Sequence, residues 1–261
     1  MTEWIGGRRP VSEALAAGRT AVRLLVADGL RPTPELQDIL SRARAADIPQ
    51  QVRSHERLSQ LGGFDGHQGL LLEVEPRRWA DLAEMSAAAL RAGRPPLVLV
   101  LENLQDPANF GTLLRAAEAA GVDGVIFPER ASAPLSASAV KASAGASEHL
   151  LLARVPVLTE AVLALKSDGL RLVAADQDAA VLAWDVDLTG PLAVVVGGEG
   201  TGVSGALRKR CDLVVGFPMD GRVASLNAAT AGALLLFEVL RQRRAAGESV
   251  AGGRIGADRP T

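Results

Sequence analysis

The sequence predicts an α/β protein, with a parallel sheet covered by helices on both faces and a smaller α/β segment before it. Three observations carry this. From Leu97 on, stretches that are apolar on nearly every residue alternate with helix-like stretches. Strands of that kind are buried on both faces, and their alternation with helices makes the sheet parallel. The residues before 74 have a different texture, with shorter elements. Apolar residues make up 48% of the 261, aromatics only 3%, and Tyr is absent, so the core must be built from Ala, Val and Leu. That length is comfortable for two domains.

In the first segment "VSEALAAG" reads as a short amphipathic helix stopped by Gly18, and "AVRLLVA" as a strand. "TPELQDILSRARAADIP" reads as a helix with Thr33 as cap, Pro34 at its first position and Pro49 beyond its end. "GLLLEVE" is a second strand. Residues 74–96 form a connector with one Ala-rich helix, closed by "GRPP". Six strands follow: "LVLVLE", "GVIFP", "LLARVPV", "LRLVAA", "LAVVVGG" and "CDLVVGFP". Helices are expected between and after them, near 109–120, 136–146, 159–168, 203–210 and 225–244. The tail from residue 246, rich in Gly and polar residues, is expected to be disordered.

No apolar run reaches the roughly 18 to 20 residues of a membrane span. The start, "MTEWIGGRRP", lacks the apolar centre of a signal peptide, so a cytoplasmic protein is expected. The single cysteine, Cys211, excludes an intrachain disulfide and a cysteine metal cluster, and no metal is expected. The net charge of −2 argues mildly against a nucleic-acid partner, but basic clusters stand at Arg8–Arg9, 208–210 and 241–244. The plain reading of the last is a solvated helix end whose cations offset the helix dipole.

Ligands of parallel α/β sheets bind beyond the carboxyl ends of the strands. Three such places stand out. After the first of the six strands, "ENLQDPANFGTLLRAAEAAGV" starts with a turn at Asp106-Pro107. Asn109 lies near the helix start, as a cap or a site residue; Gly111 permits close approach; Arg115 follows, free to pair with Glu118. After the fifth, "VVVGGEGTGVS" makes a glycine loop that lets a ligand touch backbone. Its spacing is neither a dinucleotide fingerprint nor a P-loop, and Glu199 would repel pyrophosphate. It suits a ligand with positive charge or with hydroxyl and amine donors. After the sixth, "FPMDGRVASLN" turns and sets Ser225 and Asn227 at the head of the last helix, where both can cap backbone N–H groups.

Taken in order, "NFGTLLRAAEAAGV", "VVVGGEGTGVS" and "FPMDGRVASLNAATAGALLLFEVL" resemble the three motifs of the SpoU (TrmH-type) RNA 2′-O-ribose methyltransferases of the SPOUT superfamily. The likeness spans residues 97–244. "IGGRRPVSEAL" and "HQGLLLEV" resemble the small substrate-binding domain that precedes many such enzymes. The pattern is closest to the branch that modifies a guanosine of large-subunit (23S) ribosomal RNA. It departs from the family at Ala228 and Ala229, where a larger β-branched residue usually follows the Asn.

The resemblance implies a small α/β RNA-binding domain over 1–73, a linker over 74–96, a SPOUT domain with a deep trefoil knot over 97–245, and the tail. It implies S-adenosylmethionine held around Gly197, Gly198, Phe217, Met219 and Leu226, a homodimer, and ribosomal RNA as partner with transfer RNA second. It places Arg115 nearest the ribose 2′-hydroxyl, with Asn109, Glu199, Ser225 and Asn227 orienting it, the hydroxyl or the cofactor. A guanidinium is always protonated, so Arg115 suits charge stabilisation or a phosphate clamp better than proton removal. Ser225 and Asn227 are then expected both to cap the last helix and to line the site. Arg8, Arg9, His67 and Gln68 would serve in RNA selection. Two rivals stay open: a transfer-RNA ribose methyltransferase, and a non-catalytic RNA-binding protein that kept the fold. A nicotinamide-linked oxidoreductase rests on the glycine loop alone.

Overall fold

The computed structural model describes residues 2–130, 135–222 and 225–247. The expected disordered tail lies, but for its first two residues, outside them. A four-stranded sheet opens the chain. It comprises β1 (Glu3–Gly6), β2 (Ala21–Ala27), β3 (Gln50–Arg53) and β4 (Leu70–Val74), ordered β1-β4-β2-β3. β4 runs antiparallel to both neighbours, and β2 pairs with β3 in parallel. Helices α1 (Arg8–Ala16) and α2 (Pro34–Ala45) contribute Val11, Ala14, Leu36 and Ile39 to one core, with Leu24, Leu70 and Leu72 of the sheet. Leu25 and Leu71, the alternate residues, pack with Leu58 of α3 (His55–Gly62) on the other side. Thr33 caps α2, accepting the Leu36 N–H at 3.2 Å. The sequence reading passes over β1, β3 and α3. The two strands have four residues each and α3 eight, too few for a period to emerge.

The connector carries α4 (Leu82–Arg91). Then come β5 (Leu97–Leu101), α5 (Pro107–Ala119), β6 (Gly124–Pro128), α6 (Ala137–Ala142), β7 (Leu151–Val155), α7 (Leu158–Ser167) and β8 (Arg171–Ala175). Finally come β9 (Val181–Leu182), β10 (Leu192–Val196), α8 (Gly205–Arg208), β11 (Leu213–Gly216) and α9 (Ala228–Ala245). The seven strands β5 to β11 form one sheet, ordered β7-β6-β5-β10-β8-β11-β9, with every pairing parallel. Period-two alternation splits its core cleanly. Leu97, Leu99, Leu101, Val194 and Val196 face α5 and α9; Val98, Val100, Ala193 and Val195 face α7. Each such Leu or Val contributes roughly 1.5–3 kcal/mol by leaving water. No helix among the described residues is long and apolar enough to cross a membrane.

Three expectations change. The helix expected over 136–146 ends at Ala142 because Ala144 is left-handed (φ 52°), and a 3₁₀ turn follows at Ala146–Glu148. The last helix begins at Ala228, and Asn227 alone is its cap, accepting the Ala229 and Thr230 N–H groups at 2.9 and 3.3 Å. Ser225 stands before the helix. The basic cluster at its end is not all solvated: Arg243 is buried and donates to the carbonyls of Pro95, Pro96 and Gly190 at 2.7–3.0 Å. It ties the end of α9 to the entry of β5. Cys211 is half-buried; burial pushes its thiol up to about 11, and Sγ donates to the Leu207 carbonyl.

The two sheets are joined by charge. Arg77, just after β4, pairs with Glu148, whose side chain is fully buried, and donates to the Ser147 carbonyl at 2.9 Å. Arg19 approaches the same carboxylate at 3.6 Å and pairs with Glu3 at 3.0 Å. Glu3 also accepts the Arg77 N–H, and His149 meets Glu13 at 2.9 Å.

Candidate active site

The three stretches picked out by the sequence meet at the carboxyl ends of β5, β10 and β11. Asp106 caps α5 through the Ala108 N–H, with Pro107 at the first helical position. Asn109 is therefore not the cap, and its side chain is free for other work. Its Nδ2 donates to Glu199 Oε1 at 2.8 Å, and its Oδ1 accepts from Asn227 Nδ2 at 3.1 Å. One hydrogen-bonded chain thus joins the start of α5, the glycine loop and the cap of α9. Because Asn227 Oδ1 is held by two helix N–H groups, its amide can only donate toward Asn109. The register of all three side chains is fixed from the helix end outward.

The glycine loop closes on itself. Gly202 N–H donates to Gly198 O at 3.0 Å, and Gly200 and Gly202 have φ of 76° and 62°, where side chains are strained. A side chain on Gly197 would strike the Gly202 backbone. The tight turn therefore has to be glycine, and it presents backbone to the adjoining cavity.

That cavity is about 550 Å³. Gly197, Gly198, Glu199, Phe217, Met219, Ser225, Leu226 and Asn227 line it. Asn109 stands beside it through its two bonds. Arg115 does not line it; it is exposed on α5, and no carboxylate among the described residues comes within ion-pair distance of it, Glu118 included. The sequence reading missed the opposite wall, Asp176, Gln177 and Asp178. The signal was available, since "VAADQD" ends a parallel strand as the other motifs do. Asp176 accepts the Asp178 N–H at 2.8 Å and pairs with Arg208 of α8. Among the described residues the lining holds three carboxylates and no Lys, Arg or His. Such a wall disfavours phosphate and favours a cationic or hydroxyl-bearing ligand.

His67, a candidate for RNA selection, is fully buried. Its Nδ1 accepts the Gly69 N–H at 3.1 Å, so Nε2 carries the proton toward Ser59 Oγ at 3.1 Å. Gln68 accepts the Arg8 N–H at 3.0 Å, at the start of α1.

The family model described as the SpoU rRNA methylase family matches residues 96–237, more than half of the chain. The chain belongs to this family. A second model, RNA 2′-O ribose methyltransferase substrate binding, matches residues 4–80, the part that holds the four-stranded sheet. Among similar sequences, an uncharacterized tRNA/rRNA methyltransferase of Mycobacterium leprae is 40% identical over 93% of this chain and 78% of its own length. The SpoU methyltransferase AviRb of Streptomyces viridochromogenes, crystallised with its cofactor AdoMet, superposes with a TM-score of 0.79 at 27% identity, over 93% of this chain and 91% of AviRb. A crystal structure of an RNA 2′-O ribose methyltransferase superposes with a TM-score of 0.75 at 31% identity, over 92% and 88% of the two chains. As a SpoU-family member the chain is an RNA methyltransferase.

Proposed function

We propose that the protein methylates a ribose 2′-hydroxyl of a guanosine in large-subunit ribosomal RNA, with S-adenosylmethionine as donor. The observation that carries this reading is the Glu199–Asn109–Asn227 chain beside a cavity whose lining, among the described residues, has carboxylates and no cation. The donor set fits. Leu226, Phe217 and Met219 offer apolar contact, the glycine turn offers backbone groups, and the acidic lining complements a sulfonium and an ammonium. When bound, S-adenosylmethionine supplies an electrophilic methyl group. Gly197, Gly198, Phe217, Met219 and Leu226 would hold it. We extend the reading to a trefoil knot after β10, supported by the convergence of residues 197–202, 215–217 and 225–228 on one cavity. We also read residues 1–73 as the RNA-selecting domain, 74–96 as its linker and 97–245 as the methyltransferase domain. Exposed Arg9, Arg53 and Arg57 suit phosphate contacts on the first of these.

The chain's own task is to align the acceptor hydroxyl and to remove one proton. Glu199 Oε1 is engaged by Asn109, and Oε2 has no hydrogen bond among the described residues. We assign Oε2 as the acceptor of the 2′-hydroxyl proton. Asn109 and Asn227 hold that carboxylate in place, and Ser225 bonds the ribose or the cofactor. Arg115, permanently charged, stabilises the developing oxyanion or clamps a neighbouring phosphate. The exposed Leu234 and Phe237 of α9 support a homodimer.

The test is incubation of the purified protein and labelled S-adenosylmethionine with 23S ribosomal RNA and with transfer RNA, followed by mapping of the methylated ribose. The expected product is a 2′-O-methylguanosine in 23S RNA; label in transfer RNA alone would replace the proposed target. Glu199→Gln should lower kcat by about 10²- to 10⁴-fold. Wild-type activity in Arg115→Ala would remove Arg115 from the mechanism, and full rescue by Arg115→Lys would reduce its role to charge.

A further inference from the structure

The glycine turn does not hold its own position. Gly198 and Gly202 bridge within it, through the Gly202 N–H to Gly198 O, and its neighbours supply further support. Glu102, the residue after β5, accepts the Ser204 N–H on Oε2 at 2.7 Å and the Ser204 hydroxyl on Oε1 at 2.6 Å. Ser204 Oγ in turn accepts the Leu207 N–H and caps α8. The Glu102 N–H donates to Val196 O at 2.9 Å, at the point where β10 enters the turn. The next residue, Asn103, is left-handed (φ 53°), and its carbonyl lies against Gly198 where a side chain would stand. Both ends of the turn therefore rest on residues 102 and 103. The same loop continues four residues later into α5 and Asn109.

We infer that Glu102 is a positioning residue: its carboxylate is the strut that sets the glycine turn against the start of α5, and so sets both the cofactor cradle and the reach of Glu199 to Asn109. The inference rests on the reading of the cavity as the S-adenosylmethionine site. Three features make the strut specific. Both carboxylate oxygens are used, one on a backbone N–H and one on a hydroxyl. The partner is itself a helix cap, so loss of Glu102 loosens the turn and α8 together. On the far side Arg208 of α8 pairs with Asp176, so α8 links the glycine turn to the opposite wall of the cavity. Gln in place of Glu102 can still accept the Ser204 N–H, while its amide donates to the hydroxyl oxygen. Ala can do neither, and a backbone donor in a half-buried place is left without its partner.

The experiment compares unmodified protein, Glu102→Ala, Glu102→Gln and Ser204→Ala. Calorimetry measures the Kd of S-adenosylmethionine, kinetics measure KM for RNA, and hydrogen exchange on unliganded protein follows the amides from 197 to 204. Glu102→Ala should weaken S-adenosylmethionine binding about tenfold or more, leave KM for RNA within about twofold, and speed exchange in the turn. Glu102→Gln should restore most of the affinity. Ser204→Ala, which keeps the backbone bond, should fall between. Ile39→Ala, a destabilising change in the four-stranded module, is the control and should leave the Kd unchanged. Exchange and affinity unchanged in Glu102→Ala would overturn the inference, as would an equal loss of affinity in the Ile39 control. Should Glu102→Ala fail to fold, the Gln and Ser204 variants carry the same comparison, and wild-type values in Ser204→Ala for both would overturn it. Unmodified protein that binds no S-adenosylmethionine would sink the cofactor reading instead; the exchange rates would then still decide whether the strut holds the turn.

Discussion

His67 illustrates how one buried side chain sets a pH dependence. Burial first, and then the neighbouring His55, lower its pKa from the ordinary 6.5, and its Nδ1 must stay unprotonated to accept the Gly69 N–H. The unfolded chain therefore takes up the proton first as pH falls. Stability from this residue is whole above about 6.5 and declines below it, by up to about 1.4 kcal/mol per pH unit until the folded value is reached. Calorimetric Tm should drop between pH 7.5 and 5, and His67→Gln should flatten that slope while lowering Tm at pH 7.5. Single residues were unevenly legible in the sequence. Asn109, Glu199 and Asn227 stand at fixed places after strands, and motif order carried them. Asp176 and Asp178 look like ordinary turn residues, and only their place after a parallel strand marks them as a cavity wall. Arg243 looks like a helix-end cation, since the carbonyls it binds are over fifty residues away in sequence.

Among the elements, the α5–α6 contact depends on a missing side chain. A methyl on Gly111 would fall on the Ala139 carbonyl oxygen and within 2.9 Å of the Ser143 nitrogen. In an open helix Gly→Ala gains roughly 1 kcal/mol. Here overpacking, typically ~1–3 kcal/mol, outweighs it. Gly111→Ala should lower the urea midpoint with an unchanged slope, and a raised midpoint would mean the two helices can part. Six strands of the large sheet were legible because burial leaves each of them a largely apolar run. β9 was not, since Val181–Leu182 is too short to show one. The start of the last helix was misplaced by three residues, because Ser225 and Asn227 are equally good caps on paper; only the backbone decides which is used.

At the scale of the whole molecule, α9 buries Leu235, Leu236 and Val239 yet leaves Leu234 and Phe237 nearly half exposed. On the proposed homodimer these two meet a second copy. Light scattering should find a dimer for the unmodified protein and a shift toward monomer for Phe237→Glu, with little change in far-ultraviolet circular dichroism; a dimer undisturbed by that change would place the contact elsewhere. Exposure of this kind cannot be read from composition, because an apolar helix looks the same whether one face or all of it is covered. Nor could the sequence reveal that Glu148 meets Arg19 and Arg77 from far along the chain. That rivet has a consequence for recognition. With the front module pinned to the larger sheet, the separation between the proposed RNA-selecting surface and the proposed reaction site becomes a built-in gauge. A transcript would then be accepted or refused by the spacing of its own features, before a single base is inspected.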